Sequence, residues 1–206
     1  MSFSESIKQN PRLKKAAHRM IFPKGEAKPR AWVRWFVNPF FHKRGRGSRI
    51  RHSVRMDVVP FNRFELGQGA VIESFSVINN GVGNVYIGEY SFIGIGNVII
   101  GPATIGKHII FAQHVVLSGL NHGYEDPDVP IYQQPVSTAE IIVEDECWIG
   151  ANVVITAGVT IGKHSVIAAG SVVTKSIPPY SIAAGSPAKV IKQYNPASGN
   201  WEKAIG

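Results

Sequence analysis

Apolar residues return every six positions along this chain from Leu66 to Val173. The beat begins Leu66, Ile72, Ile78, then shifts phase and runs Ile87, Ile93, Ile99, Ile105, Phe111, Leu117. After an interruption it resumes as Val143, Ile149, Ile155, Ile161, Ile167, Val173. A small residue often follows the beat, as in Ile87-Gly88, Ile105-Gly106 and Ile161-Gly162. Four residues after the beat comes a second, mostly small or aliphatic position, seen at Ala70, Ser76, Ser91, Ala103, Val115, Cys147, Val153, Ser165 and Ser171.

A period of six fits neither an amphipathic helix nor a long alternating strand. It fits short strands joined by tight corners, each coil stacked on the last, with backbone hydrogen bonds running between coils about 4.8 Å apart. The pattern predicts an all-β fold, a parallel β-helix of five triangular coils. Leu66, Ile87, Ile105, Val143 and Ile161 share the first face; Ile72, Ile93, Phe111, Ile149 and Ile167 share the second; Ile78, Ile99, Leu117, Ile155 and Val173 share the third. Both breaks in the beat fall at the corner between third and first faces. One adds three residues around Asn79–Gly83, and the other adds twenty after Leu117. Long excursions from a rigid scaffold commonly carry function. The expected organisation is a basic, aromatic-rich arm or cap over residues 1–60, a β-helix over 61–191 with a loop at 118–142, and a polar tail over 192–206.

Charge sharpens the division. The 206 residues carry a net charge of +8. Residues 1–55 hold 15 Lys and Arg against Glu5 and Glu26, whereas the remainder holds 7 against 12 acids. The basic character therefore belongs to the arm, and the repeat body is mildly acidic. Ser4 to Phe22 reads as a basic helix limited by Pro11. Trp32, Trp35, Phe36, Phe40 and Phe41 then precede Lys43, Arg44, Arg46, Arg49 and Arg51. One reading has these aromatics capping the open end of the β-helix. Another has them anchor the protein peripherally at an anionic membrane surface. No nucleic-acid motif accompanies the charge. There is neither a membrane-length apolar run nor a secretory signal pattern. The single cysteine, Cys147, falls in a small inward slot and suits a reducing, cytoplasmic compartment.

The segments Cys147-Trp148-Ile149-Gly150-Ala151-Asn152, Gly158-Val159-Thr160-Ile161-Gly162, Ala169-Gly170-Ser171-Val172-Val173-Thr174-Lys175 and Ala184-Gly185-Ser186-Pro187-Ala188-Lys189-Val190-Ile191 carry a resemblance. The chain resembles the hexapeptide-repeat acyltransferases, specifically the galactoside and maltose O-acetyltransferase group and its polysaccharide-biosynthesis relatives. The resemblance implies a left-handed β-helix, a homotrimer, and acetyl-CoA as cosubstrate with no metal. It implies transfer of an acetyl group to a saccharide hydroxyl in surface glycan synthesis. His122 on the long loop matches the general base. Such a base makes chemical sense, because a sugar hydroxyl is a poor nucleophile until a group of near-neutral pKa accepts its proton. By matching position, Trp148, Ala151, Ala169, Thr174, Lys175, Lys189 and Lys192 are the CoA-side residues, the lysines facing phosphate charge. Each lysine also reads as a solvated surface charge, and Trp148 as a rim packing residue.

The family's acceptor-side asparagine is replaced here by Gly94. Asn97, Asn79, Asn80 and Asn121 are the candidates for that contact. Two other functions stay open on this fold. A zinc-dependent carbonic anhydrase would use three histidines, but His108 and His114 fall on adjacent faces of one coil and His164 lies two coils further on. A non-catalytic, membrane-recruited scaffold would need no base on its loop.

Overall fold

The computed structural model describes residues 15–16 and 19–204. Three parallel sheets form a triangular prism, a left-handed parallel β-helix. Coil 1 comprises Lys43–Arg44, Arg49–Ile50 and Arg55–Asp57. Coil 2 comprises Phe64–Leu66, Val71–Ile72 and Val77–Asn79, and coil 3 Val85–Ile87, Phe92–Ile93 and Val98–Ile100. Coil 4 runs through Ala103–Ile105, Ile110–Phe111 and Val116–Ser118. After the loop, coil 5 is Ile141–Val143, Trp148–Ile149 and Val154–Ile155, and coil 6 is Thr160–Ile161, Val166–Ile167 and Val172–Val173.

There are thus six full coils rather than five. The extra one lies inside the stretch expected to be arm, where Arg44, Ile50 and Met56 keep the six-residue spacing. Arg44 hides it, because a cation stands where every later coil has an apolar residue. An end coil has a neighbour on one side only, so its inward position need not be dry.

The physical reason for the beat is burial. Beat residues from Leu66 to Val173 are nearly all inaccessible to solvent, and they form one continuous core. The residue three after the beat takes a left-handed conformation at corner after corner. Glycine fills it at Gly69, Gly96, Gly158 and Gly170; Phe75, Tyr90, His108, His114, Glu146, Asn152, His164 and Tyr180 fill it elsewhere. That one conformation turns the strand through the corner, and the stack tolerates the steric cost of non-glycine residues there. The glycine just after the beat has a different cause. A Cβ on Gly67 would lie 2.5 Å from the backbone nitrogen of Glu89 in the coil above. Buried slots four after the beat are bridged coil to coil by side chains: Ser76 Oγ donates to the Gly94 carbonyl, Ser91 Oγ to that of Gly106, and Ser165 Oγ to that of Pro178.

The cap differs from expectation. A π-helical turn, Val33–Val37, runs into a short helix, Asn38–Phe41. Val33 packs with Ile21 and Val59, and the Asn38 amide donates to the Val58 carbonyl at 2.8 Å. His42 Nδ1 accepts from the Phe64 N–H at 3.1 Å. Val33 and Val37 thus belong to a small cluster beside the prism core, Asn38 and His42 tie the segment to the first coils, and an open hollow lined by Trp35, Pro39, Ile50 and Met56 lies between segment and coil 1. Trp35, Phe36 and Phe40 are 69%, 70% and 86% exposed. The basic helix expected over Ser4 to Phe22 lies largely outside the described residues. At the other end, Ser181–Gly185 adds to the second-face sheet and turns back through Ala188–Asn195 and Asn200–Lys203, so the tail is strand.

Candidate active site

The loop leaves the corner between the third and first faces after Ser118 and returns at Ile141 with the coil register unbroken. Leu120–His122 pairs antiparallel with Val136–Thr138, which sets His122 opposite Val136. Gly123 follows at once, and its N–H donates to the Pro135 carbonyl at 2.9 Å. A Cβ there would stand 2.7 Å from that same oxygen, so only glycine allows the two limbs this close beside His122. The loop is tied further out by the buried amide of Gln134. Its Nε2 donates to the carbonyls of Asp126 and Val129, both at 2.8 Å, and its Oε1 accepts from the Asp126 N–H at 3.2 Å. Nothing in the sequence marks Gln134, since a lone glutamine in a loop has no motif. His122 and Asn121 are exposed on this braced hairpin.

The asparagine candidates separate on burial. Asn97 is fully buried: its Nδ2 donates to the carbonyls of Gly94 (2.6 Å) and Ala112 (3.0 Å), and its Oδ1 accepts from the Val115 N–H at 2.6 Å. Asn80 is equally buried, accepting from the Val59 N–H and donating to the carbonyls of Val59 and Asn62. Both expectations of substrate contact are corrected here, because neither amide has a free atom to present. Asn79 sits half-buried at the end of its coil-2 strand, its Oδ1 held by the Gly81 N–H at 2.7 Å. Asn121, next to His122, is the acceptor-side candidate left exposed.

The expected CoA-side residues occupy two edges and one face. Ala151 and Ala169 stand at the edge between the second and third faces, with the Gly170 N–H bonded to the Ala151 carbonyl. Thr174 and Lys175 lie on the loop's own edge, past coil 6, both exposed. Lys189 and Lys192 are on the returning strand opposite Ala184 and Ile182. None of these three lysines forms an ion pair among the described residues. Trp148 points outward from the middle of the second face, where it is 53% exposed. It continues a ladder with Phe92 and with Ile110, also 53% exposed.

Cys147 is buried, its Sγ 3.2 Å from the Gly162 carbonyl, and burial pushes its thiol up to about 11. It fills space and is no nucleophile. His108 stacks on Tyr90 at 5.5 Å and His164 bonds Glu146 at 3.2 Å, both on the edge between first and second faces; His114 stands on the next edge.

The described residues thus form a prism whose coils each hold three six-residue repeats, with His122 on a long corner loop. A family model described as the hexapeptide repeat of succinyl-transferase matches residues 140–175. The chain is 36% identical over 137 residues to the galactoside O-acetyltransferase of Escherichia coli K12, covering 63% of this chain and 64% of that protein. It is 34% identical over 128 residues to a putative lipopolysaccharide biosynthesis O-acetyl transferase, WbbJ, of the same organism, covering 59% and 63%. The match thus spans a little under two thirds of these relatives' length. Among solved structures, AntD, an N-acyltransferase from Bacillus cereus in complex with dTDP-4-amino-4,6-dideoxyglucose and coenzyme A, aligns with a TM-score of 0.64 at 22% identity, over 76% of this chain and 86% of that one. A hexapeptide-repeat-containing acetyltransferase, VCA0836 from Vibrio cholerae, aligns at 0.53 and 23% identity over 94% and 93%. These two likenesses establish the shared fold.

Proposed function

We propose that the protein transfers an acetyl group from acetyl-CoA to a saccharide hydroxyl, as part of glycan synthesis on the cytoplasmic side of the membrane. The observation that carries this reading is His122, exposed on a hairpin braced by Gly123 and Gln134, in a chain similar to sugar O-acetyltransferases. His122 accepts the hydroxyl proton as the sugar oxygen attacks the thioester carbonyl. The C–O bond forms, the C–S bond breaks, and the thiol leaves carrying the proton that His122 took up. Acetyl-CoA supplies the activated acyl group. Ala151 and Ala169 offer a small-residue edge along which a pantetheine chain can lie, and Lys175, Lys189 and Lys192 offer charge to its phosphates.

One chain does not complete this site. His122 stands on one edge of the third face and Ala151 and Ala169 stand on the other. Packing the second face of one copy on the first face of the next brings the two edges together across a groove. The Phe92, Ile110 and Trp148 ladder gives the second face an apolar surface for that contact. Tyr124, Ile131 and Tyr132, exposed on the loop, would be covered by the neighbour. The assembly proposed is a closed homotrimer.

The test is turnover of acetyl-CoA with a panel of saccharides. His122→Ala should lower turnover by a factor on the order of 10² to 10⁴ while CoA affinity stays largely unchanged. Unchanged turnover would sink the assignment of the base. A monomer at micromolar concentration would sink the shared site.

A further inference from the structure

We infer that the cap end of the prism is a docking face for an anionic lipid bilayer. Val33, Val37 and Asn38 turn inward from the capping segment; Trp32, Trp35, Phe36, Phe40 and Phe41 turn outward and are all exposed. Large aromatics left in water on a short helical segment are costly unless something covers them. The cations around them indicate what that is. Arg30 and Arg34 lie in or beside the segment, and Lys43, Arg44, Arg46, Arg49 and Arg51 follow in coil 1. Arg30, Arg34, Arg44 and Arg46 make no ion pair among the described residues. Acids here are few, and three are engaged: Glu73 with Arg51 at 3.1 Å, Asp57 with Arg55 at 2.9 Å, Glu65 with Lys43 and Arg63; Glu26, near Arg55, forms no ion pair among the described residues.

Aromatic rings ringed by unpaired cations match the interfacial region of a membrane with anionic headgroups. A second copy docked cap to cap would bring like charges together, so self-association fits this face poorly. No helix of the described residues is long and apolar enough to cross a membrane. Side-by-side packing of the prisms, as proposed above, leaves this end uncovered and points every cap the same way, which multiplies a weak contact.

The test is sedimentation of the full-length protein with vesicles of phosphatidylcholine alone or with about 30% phosphatidylglycerol, and retention on duplex DNA. Binding to the anionic vesicles only, lost when salt rises several-fold, is expected. The triple variant Trp35→Ser, Phe36→Ser, Phe40→Ser should lose that binding. Arg30→Glu with Arg46→Glu should weaken it by at least about five-fold per charge. Both variants alter exposed side chains, so their melting curves and their turnover of soluble saccharide should match the parent. That separates failure here from failure of the acetyltransfer reading. Equal binding to neutral vesicles, no binding to either, binding unaffected by the aromatic changes, or retention on DNA without vesicle binding would each overturn the proposal.

Discussion

Asn97→Ala tests whether the buried asparagine is a structural brace or a substrate contact. Asn97 makes three hydrogen bonds inside the coil stack, to Gly94, Ala112 and Val115, at 2.6 to 3.0 Å. Each buried bond contributes about 1 kcal/mol net, and the Val115 N–H, deprived of its partner, adds a desolvation penalty of about 1 kcal/mol or more. The sum is roughly 3 to 4 kcal/mol. For a chain of this size, 1 kcal/mol lowers Tm by about 2–4 °C, so a fall of about 6–16 °C is expected. Asn97→Ser should cost less, because serine bridges the stack in the equivalent slot, with Ser76, Ser91 and Ser165 donating to a neighbouring turn and Ser171 accepting from the Gly185 N–H. The assay pairs thermal unfolding with saccharide KM and kcat well below the transition. A variant with unchanged Tm and a raised acceptor KM would refute the structural role and return Asn97 to the substrate.

Three further outcomes follow from named contacts. Gln134→Ala removes the bonds tying Asp126 and Val129, so it should lower kcat about ten-fold through a loosened His122 hairpin, with KM for acetyl-CoA little changed. Full activity would show that the hairpin holds without it. Cys147, raised from near 9 to about 11, should alkylate at least about 100-fold more slowly in the native than in the unfolded protein near pH 8, read by mass spectrometry. Burial holds the His42 imidazole below its ordinary value of 6.5. The unfolded chain therefore binds that proton more readily, and the stability present above pH 6.5 is lost as pH falls toward the lower folded value. Urea midpoints at about pH 7.5 and 5.5 should differ for the parent and differ less for His42→Gln; equal losses in both would exclude His42 as the source.

The repeat body was legible because its cause is repeated. Every coil from the second to the sixth buries an apolar residue at the same slot, so the period announces the fold, the three faces and the corner that bears the loop. Coil 1 was missed where that cause fails, since Arg44 can stand at the beat only because nothing is stacked beyond it. The asparagines were misjudged for a related reason. Sequence places Asn80 and Asn97 near corners, but whether an amide faces a ligand or neighbouring carbonyls is decided by which backbone groups the next coil leaves unpaired. Gln134 had no signature at all, because its role is to collect carbonyls from its own loop. His122 could be singled out through family likeness, and the structure adds the bracing around it. It also sets His122 on one edge of the third face and Ala151 and Ala169 on the other.

The unbroken stacking of the coils has a consequence for distance. Each added coil takes eighteen residues, the separation of Ile87 from Ile105, and lengthens the prism by about 4.8 Å. The loop leaves coil 4, three spacings from the cap-side coil 1, so His122 rides at a height of about 14 Å above that coil. On a protein resting on its cap, the number of coils is a ruler. It fixes how far from the surface a hydroxyl must be held up to meet His122, and it can be changed only in whole steps. Excising or duplicating one coil below the loop would shift that height by one step while leaving the hairpin, the edges and the faces as they are. Acceptors reaching a different distance from the bilayer would then become the better substrates.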